Sequence, residues 1–198
     1  MQNLFPFAIV FLFFLLFAPN TQAQKGGKSD GFIINANGDT LRGHFDFSKP
    51  GAATNATLRV SFTDDKTGSS KQYAPFQIKG WQLNRDSCYN EAKILRIKDD
   101  DNGYGVFMRR LNTQGEILCY KYVDIGGQMP LTIYYLEKEQ RLTQVNMGGK
   151  FYKQLALFFQ DSKELSENIA AKKYKGNKEK ALINIVNAYN VWFEDQWK

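Results

Sequence analysis

From Gly31 onward the chain alternates apolar and polar residues with a period of two. Phe32-Ile33-Ile34 runs into Asn35-Ala36-Asn37-Gly38, and the Asn37-Gly38 pair predicts a two-residue hairpin. The returning stretch sets Leu41, Gly43, Phe45 and Phe47 on one face and Arg42, His44 and Asp46 on the other. Pro50-Gly51 ends it. Leu58, Val60 and Phe62 then alternate inward with outward Arg59, Ser61 and Thr63. Further strands are predicted at 76–84, 92–98, 104–111, 116–123, 131–137 and 140–147, with turn signals at 99–103, 112–115 and 126–130. About nine short strands at this spacing predict an antiparallel meander, either an open sheet or a half-barrel. Leu118, Tyr120 and Tyr122 lie opposite Ile117, Cys119 and Val123, so this strand is predicted to be central and covered on both faces.

At Gly149 the period becomes helical. Phe151, Leu155, Phe158 and Phe159 form an apolar stripe. Asp161-Ser162-Lys163-Glu164 predicts a second helix start, with Asp161 as the N-cap and Glu164 completing a capping box. Leu165 and Ile169 make its buried side. Gly176 supplies its stop, and Asn177 caps a third helix. That helix carries Leu182, Ile185, Val186, Tyr189, Trp192 and Phe193 along one side. The predicted fold class is α+β: a β meander over 31–148, then a unit of about three helices over 149–198 packed on the sheet. No linker separates the two parts, so 31–198 reads as one domain.

The N-terminus changes this picture. Residues 4–18 are an unbroken apolar run, shorter than the roughly 20 residues a spanning helix needs. Thr21-Gln22-Ala23 follows with small residues at the positions a signal peptidase reads. Residues 1–23 therefore read as a signal peptide and 24–30 as a flexible lead. What remains is predicted to be exported, periplasmic or extracellular, and not membrane-spanning. The formal net charge is +6, which concerns solubility and non-specific binding rather than fold. One histidine and two cysteines exclude a Cys/His zinc cluster, an iron–sulfur site and a c-type haem motif. In an oxidising compartment Cys88 and Cys119 read as one disulfide, closing a loop worth roughly 3–4 kcal/mol in the chain-entropy picture. Two separate buried thiols are the other reading, because Cys119 lies mid-strand.

Three segments carry a resemblance. GFIINANGDTLRGHFDF resembles a G-[FY]-I…N-G-D-T-[IL]-x-G opening. KQYAPFQIKGWQL resembles a Y-x-P-x-[DQ]-I-K-G-[FW] segment. FYKQLALFFQDSKELSENIAAKKYKGNKEKALINIVNAYNVW is similar to a Y-F-x-D-[CS]-x-E-L…I-V-x-x-Y-N tail. Together they resemble a group of exported proteins of unknown function in Bacteroidetes-type bacteria. The resemblance implies export and a single-domain architecture, and it carries no catalytic residue.

Candidate chemistry is sparse. His44 and Asp46 share a strand face, an arrangement met in acid/base pairs and far more often in surface pairs. Asp99-Asp100-Asp101-Asn102-Gly103 is the densest carboxylate cluster, yet its spacing departs from a calcium loop and suits a hairpin turn. Asp39-Thr40-Leu41 matches the triplet that such bacteria O-glycosylate, which makes Thr40 a modification candidate. Asn55-Ala56-Thr57 fits the eukaryotic N-glycan sequon, which carries no meaning in a bacterial chain. Lys172 to Lys180 form a basic face with Tyr174 as its one aromatic, and export argues against nucleic acid there. Trp81, Tyr120, Tyr122, Tyr134 and Tyr135 are candidates to line a ligand pocket.

Two functional readings follow. The first is a non-enzymatic exported envelope protein acting through its surface on an envelope partner, with no cofactor and no metal. The alternative is a carrier of a small apolar or lipid-like ligand held between sheet and helices. A hydrolase would have to rest on His44 or on carboxylates such as Glu137 and Glu139. A carrier needs an unfilled cavity that Phe158, Ile185, Tyr189 and Trp192 leave open.

Overall fold

The structure is a computed structural model and describes residues 27–48, 56–86, 89–95, 103–124 and 129–198. Among these residues ten strands come first: β1 (Lys28–Asn35), β2 (Thr40–Asp46), β3 (Val60–Asp64), β4 (Ser70–Tyr73), β5 (Ile78–Leu83), β6 (Asn90–Leu95), β7 (Tyr104–Arg110), β8 (Leu118–Asp124), β9 (Leu131–Lys138) and β10 (Arg141–Val145). Three helices follow: α1 (Phe151–Phe158), α2 (Lys163–Ala170) and α3 (Lys178–Asp195). All pairings are antiparallel, in one open sheet of order β10-β9-β8-β7-β6-β5-β1-β2-β3-β4. The sheet is thus two meanders, β1–β4 and β5–β10, joined where β5 lies beside β1. This is the α+β architecture that the alternation predicts, in its open-sheet form.

Period-two alternation sorts the side chains onto two faces. On the first face, Ile117, Cys119, Tyr134, Leu136 and Val145 meet Phe151, Leu155, Phe159, Ile169, Leu182, Ile185, Val186 and Tyr189 from the helices. Further along the same face, Ile33, Phe45, Val60, Phe62, Trp81 and Phe107 form a second core. The β2–β3 connection reaches that core, with Ala56 buried and the Phe107 N–H donating to the Thr57 carbonyl at 2.7 Å. On the second face, Leu95, Val106, Met108, Tyr120 and Tyr122 are buried with no helix of the described residues over them. They are shielded because β6–β10 curl: Lys93 on β6 reaches Glu137 on β9, three strands away, at 2.6 Å.

Several local expectations change. β1 begins at Lys28, which pairs with Asp46, so residues 28–30 belong to the sheet and not to a flexible lead. The first hairpin turns through three residues, not two. Asn35 N–H donates to Asp39 C=O, Gly38 N–H donates to Asn35 C=O, and Gly38 takes the left-handed φ of 99° that closes a type I turn with a bulge. β4 is a tenth strand without a hydrophobic signature. Ser162, not Asp161, is the N-cap of α2 and makes no side-chain cap bond. α2 ends at Ala170 rather than at Gly176. Lys172 adopts φ 55°, its N–H donates to the Ile169 carbonyl and that of Lys173 to the Asn168 carbonyl, the reciprocal pattern of a Schellman stop. Asn177 caps α3 as predicted, accepting from Lys180 N–H at 2.8 Å.

One buried asparagine locks the helical unit to the β7–β8 loop, and a second holds that loop together from within. Asn190 on α3 accepts from Ile117 N–H at 2.9 Å and donates to the Ile117 and Gln114 carbonyls. Asn112 accepts from Cys119 N–H at 2.7 Å and donates to the same two carbonyls. Gly115 between them takes φ 124°, and a Cβ there would lie 2.2 Å from the Asn190 side chain. No helix among the described residues is long and apolar enough to cross a membrane.

Candidate functional site

Three times among the described residues a lysine ammonium lies over a tyrosine ring while both engage one carboxylate. Under the helices, Lys121 on β8 reaches Glu179 on α3 at 2.9 Å, and Tyr134 on β9 donates to the same carboxylate. Lys138 on β9 reaches Asp161 at 2.8 Å, and Tyr189 on α3 donates to it at 2.6 Å. The Tyr134 bond, then Lys121, holds the Glu179 carboxyl below the ordinary range. Burial works against the Asp161 charge, but Lys138 and Tyr189 outweigh it and hold its pKa down. Burial also works against the Lys138 charge, and its bonds to Asp161 and Tyr189 outweigh that, raising its pKa. These two clusters tie helix to sheet.

The third cluster lies on the face without helices. Lys93 Nζ is 2.8 Å from Glu91 Oε1 and 2.6 Å from Glu137 Oε2, and 4.8 Å from the centre of the Tyr120 ring. The Tyr120 hydroxyl lies 2.9 Å from Glu91 Oε2 and 2.8 Å from Glu137 Oε2, so one proton is shared between two acceptors. Burial first, then both carboxylates, push the Tyr120 phenol far above its usual pKa. Arg110 stands 3.7 Å from Glu91 and over the Tyr89 ring. Burial, then Glu91, push the Tyr89 phenol up to about 12. The strands explain the convergence: Glu91 and Lys93 are two apart on β6, Tyr120 comes from β8 and Glu137 from β9, all on the inner side of the curl. Two carboxylates and two cations balance, and Lys93 and Tyr120 each bridge both carboxylates. The arrangement fixes side-chain positions; it holds no nucleophile freed by an adjacent base.

Beside this cluster a crevice of about 590 Å³ is lined by Ala92, Lys93, Ile94, Glu137, Gln140, Arg141 and Leu142. On the opposite face of β6, a second crevice of about 390 Å³ is lined by Pro75, Phe76, Ile78, Lys79, Ala92, Lys93, Ile94, Gly103 and Gly105, among others. Ala92, Lys93 and Ile94 border both.

The candidates read from the sequence are dispersed. Tyr120, Tyr122 and Tyr135 share the inner face of the curl, whereas Tyr134 points to the helices and Trp81 packs, tilted or edge-on, among Phe45, Phe47 and Phe107 in the second core. The five do not converge on one pocket. Trp81 Nε1 is buried without a hydrogen-bond partner among the described residues. His44 Nδ1 lies 3.5 Å from Asp65, while Asp46 accepts the Ser48 N–H at 2.9 Å. Thr40 is exposed at the start of β2, beside an Asp39 held by Asn35. Cys119 is a free thiol in the helix-covered core, and burial followed by Glu179 pushes it up to about 12. Its suggested partner Cys88 lies outside the described residues, as do Asp99–Asn102 of the carboxylate cluster and Asn55 of the sequon. Of the basic face, Lys178 donates to the Met147 and Gly148 carbonyls and Lys173 to Asn168, so part of it closes loops. Glu137 pairs across strands with Lys93 and Tyr120, while Glu139 sits in the β9–β10 turn. Among the described residues no group of three or more His, Cys, Asp or Glu is placed to hold a metal.

Sequence reasoning missed Lys93, Glu91 and Arg110. The available signal was a pair of opposite charges on one face of β6, two residues apart; their partners on β8 and β9 are visible only once the sheet is curled. Compared with known proteins, the chain matches no family model, no curated protein and no solved structure.

Proposed function

We propose that this is an exported protein of the bacterial envelope that works as a non-catalytic interaction module. The observation that carries the reading is the contrast between a filled interior and an apolar rim. Between sheet and helices, Ile185, Tyr189, Phe159, Leu182 and Ile117 are fully buried and occupy the space a carried ligand would need. At the surface, Phe76 is 81 % exposed and Ile94 66 %, and both line one crevice. Paired apolar residues left in water beside a groove are characteristic of surfaces that meet a partner. The titratable clusters support the same reading, because their lysines and tyrosines are engaged in holding strands and helices together. Export rests on the apolar run at 4–18 and the Thr21-Gln22-Ala23 segment.

Native mass spectrometry of the protein purified from its own host's envelope tests this. A mass matching residues 24–198, with a polypeptide partner lost on denaturation, is the expected result. A small molecule released on denaturation would favour the carrier reading. Extra mass that survives denaturation would indicate covalent modification, with Thr40 the first position to map.

A further inference from the structure

The inner half of β6 is an interior strand, but its outer half is an edge. β7 pairs with all six residues from Asn90 to Leu95. β5 pairs only with Asn90 and Glu91, through Trp81 and Gly80. From Ala92 to Leu95 the β5 side of the strand has no ladder partner among the described residues. An unpaired run of backbone donors and acceptors is a template for another strand.

The other two edges are managed. β4 is four residues long and polar. β10 is covered at Gln144–Asn146 by Gln154 of α1, whose amide donates to the Gln144 carbonyl at 2.7 Å and accepts from Asn146 N–H at 2.6 Å. The β6 edge instead carries a crevice on each face, both bordered by Ala92, Lys93 and Ile94. A strand laid along it would send alternate side chains into the two crevices. Their chemistry differs. One is walled by Phe76, Ile78 and Ile94. The other is lined by Arg141, Gln140 and the Lys93–Glu137 pair; Glu137 is neutralised by Lys93, whereas Arg141 makes no ion pair among the described residues and leaves the crevice a net positive charge. Glu139 and Gln140 form the adjacent β9–β10 turn with φ of 51° and 63° and no glycine, a strained geometry that sets Gln140 on the crevice wall.

We propose that the free edge of β6 at Ala92–Leu95 takes an added β-strand from a partner polypeptide, an extended segment that alternates apolar and acidic side chains. Apolar residues of the segment enter between Phe76 and Ile94, and a carboxylate meets Arg141. This deepens the interaction-module reading and rests on it.

The probe is a fluorescein-labelled octapeptide of alternating valine and glutamate, followed by anisotropy with the intact protein. It is expected to bind at least about tenfold more tightly than a valine–lysine octapeptide, and than the same valine–glutamate peptide with alternate amides N-methylated, about 1.4 kcal/mol in each case. Arg141→Glu, at an exposed position, and Ile94→Asp are each expected to weaken binding about tenfold, and amide exchange at Ala92–Leu95 is expected to slow on binding. Absence of binding, equal binding of the N-methylated peptide, or binding undiminished by Arg141→Glu would overturn the proposal. So would a monomer–dimer equilibrium broken by Ile94→Asp without peptide binding, since the occupant would then be a second copy. A photo-crosslinker placed in the host at Ile94, and separately at exposed Leu157, separates this from its parent reading. Capture at Leu157 alone removes the β6 site and leaves the module; capture at neither removes both.

Discussion

The helix-covered end of the sheet and the curled face opposite use the same side-chain device for different ends. Beneath the helices, Lys121–Glu179–Tyr134 and Lys138–Asp161–Tyr189 join elements from separate parts of the chain, and one member of each lies on α3. On the curled face, Lys93, Glu91, Glu137 and Tyr120 all come from strands. The first two clusters dock a helix; the third sets how tightly β6 is drawn toward β9. Because strands hydrogen-bond to their neighbours only, β6 and β9 have no backbone tie, and the side chains supply it. The consequence is local. Drawing β6 inward at Lys93 accompanies the loss of β5 pairing beyond Glu91, so the cluster that closes one face opens an edge.

The largest test of this contrast is Tyr189→Ala. Tyr189 is fully buried, packs on Phe159, Trp192 and Phe193, and engages Asp161 and Lys138. Removing the ring leaves a cavity in the helix-covered core, while Lys138 still holds Asp161, so unfolding free energy in urea should fall by about 3–5 kcal/mol. Hydrogen exchange should rise in α3 and β8–β10 and leave β1–β3 near the native pattern. Uniform loss of protection would show that the two cores are not separable.

A smaller effect is expected from removing one oxygen. Tyr120→Phe keeps the buried ring but takes one donor from both Glu91 and Glu137, which keep Lys93 but are less exposed than Glu179, a loss of about 1.5–3 kcal/mol because the acceptors are charged. Tyr134→Phe removes one donor from Glu179, which is about one-third exposed and keeps Lys121, so a loss of under about 1 kcal/mol is expected. Equal losses in the two variants would break the distinction between the curled-face cluster and the docking clusters.

Much of the framework could be read from the alternation because burial enforces period two wherever one face is apolar. β2, β3 and β8 show it plainly: Phe45, Phe62 and Cys119 are inward as the pattern requires. β4 escaped because Ser70, Lys71 and Gln72 are all exposed, leaving no alternation to detect. Asp161 does not act as the cap its motif predicts because its carboxylate is bound by Lys138 and Tyr189, 23 and 28 residues away, and tertiary contact outweighs the local motif. The tyrosines assembled into one pocket by the sequence were split by parity. Tyr134 and Tyr135 are neighbours on β9 and therefore point to opposite faces. The β6 edge left no trace in the sequence, since the end of a β5 ladder depends on curvature.

Acid should loosen the helical unit next. Asp161 and Glu179 have folded pKa values below their unfolded ones. Their contribution is complete above an unfolded value of about 4 and is lost as pH falls through the lower folded values. Both carboxylates are partly exposed, so the loss is modest and salt reduces it. Lys138 runs the other way: its raised pKa makes its contribution complete below about 10.4 and lost as pH rises through the folded value. Urea titrations from pH 6 to pH 2 should show a shallower decline for Asp161→Asn and Glu179→Gln than for the parent. Parallel declines would assign the acid sensitivity elsewhere.

The smallest effect separates the two regions most cleanly. Lys172 in the helical unit and Gln140 at the curled face both hold left-handed backbone, at φ 55° and 63°, without being glycine. For an L-residue that conformation costs on the order of 1 kcal/mol, and glycine relieves most of it. Lys172→Gly and Gln140→Gly should therefore each raise the urea midpoint, by about 0.5–1 kcal/mol of stability. Their effects on the valine–glutamate octapeptide should diverge. Lys172 only terminates α2, so its replacement leaves peptide affinity unchanged. Gln140 lines the crevice beside β6, so its replacement stabilises the fold while weakening the peptide. A Gln140→Gly protein that is both more stable and equally good at binding would mean that the strained turn serves neither the edge nor its occupant.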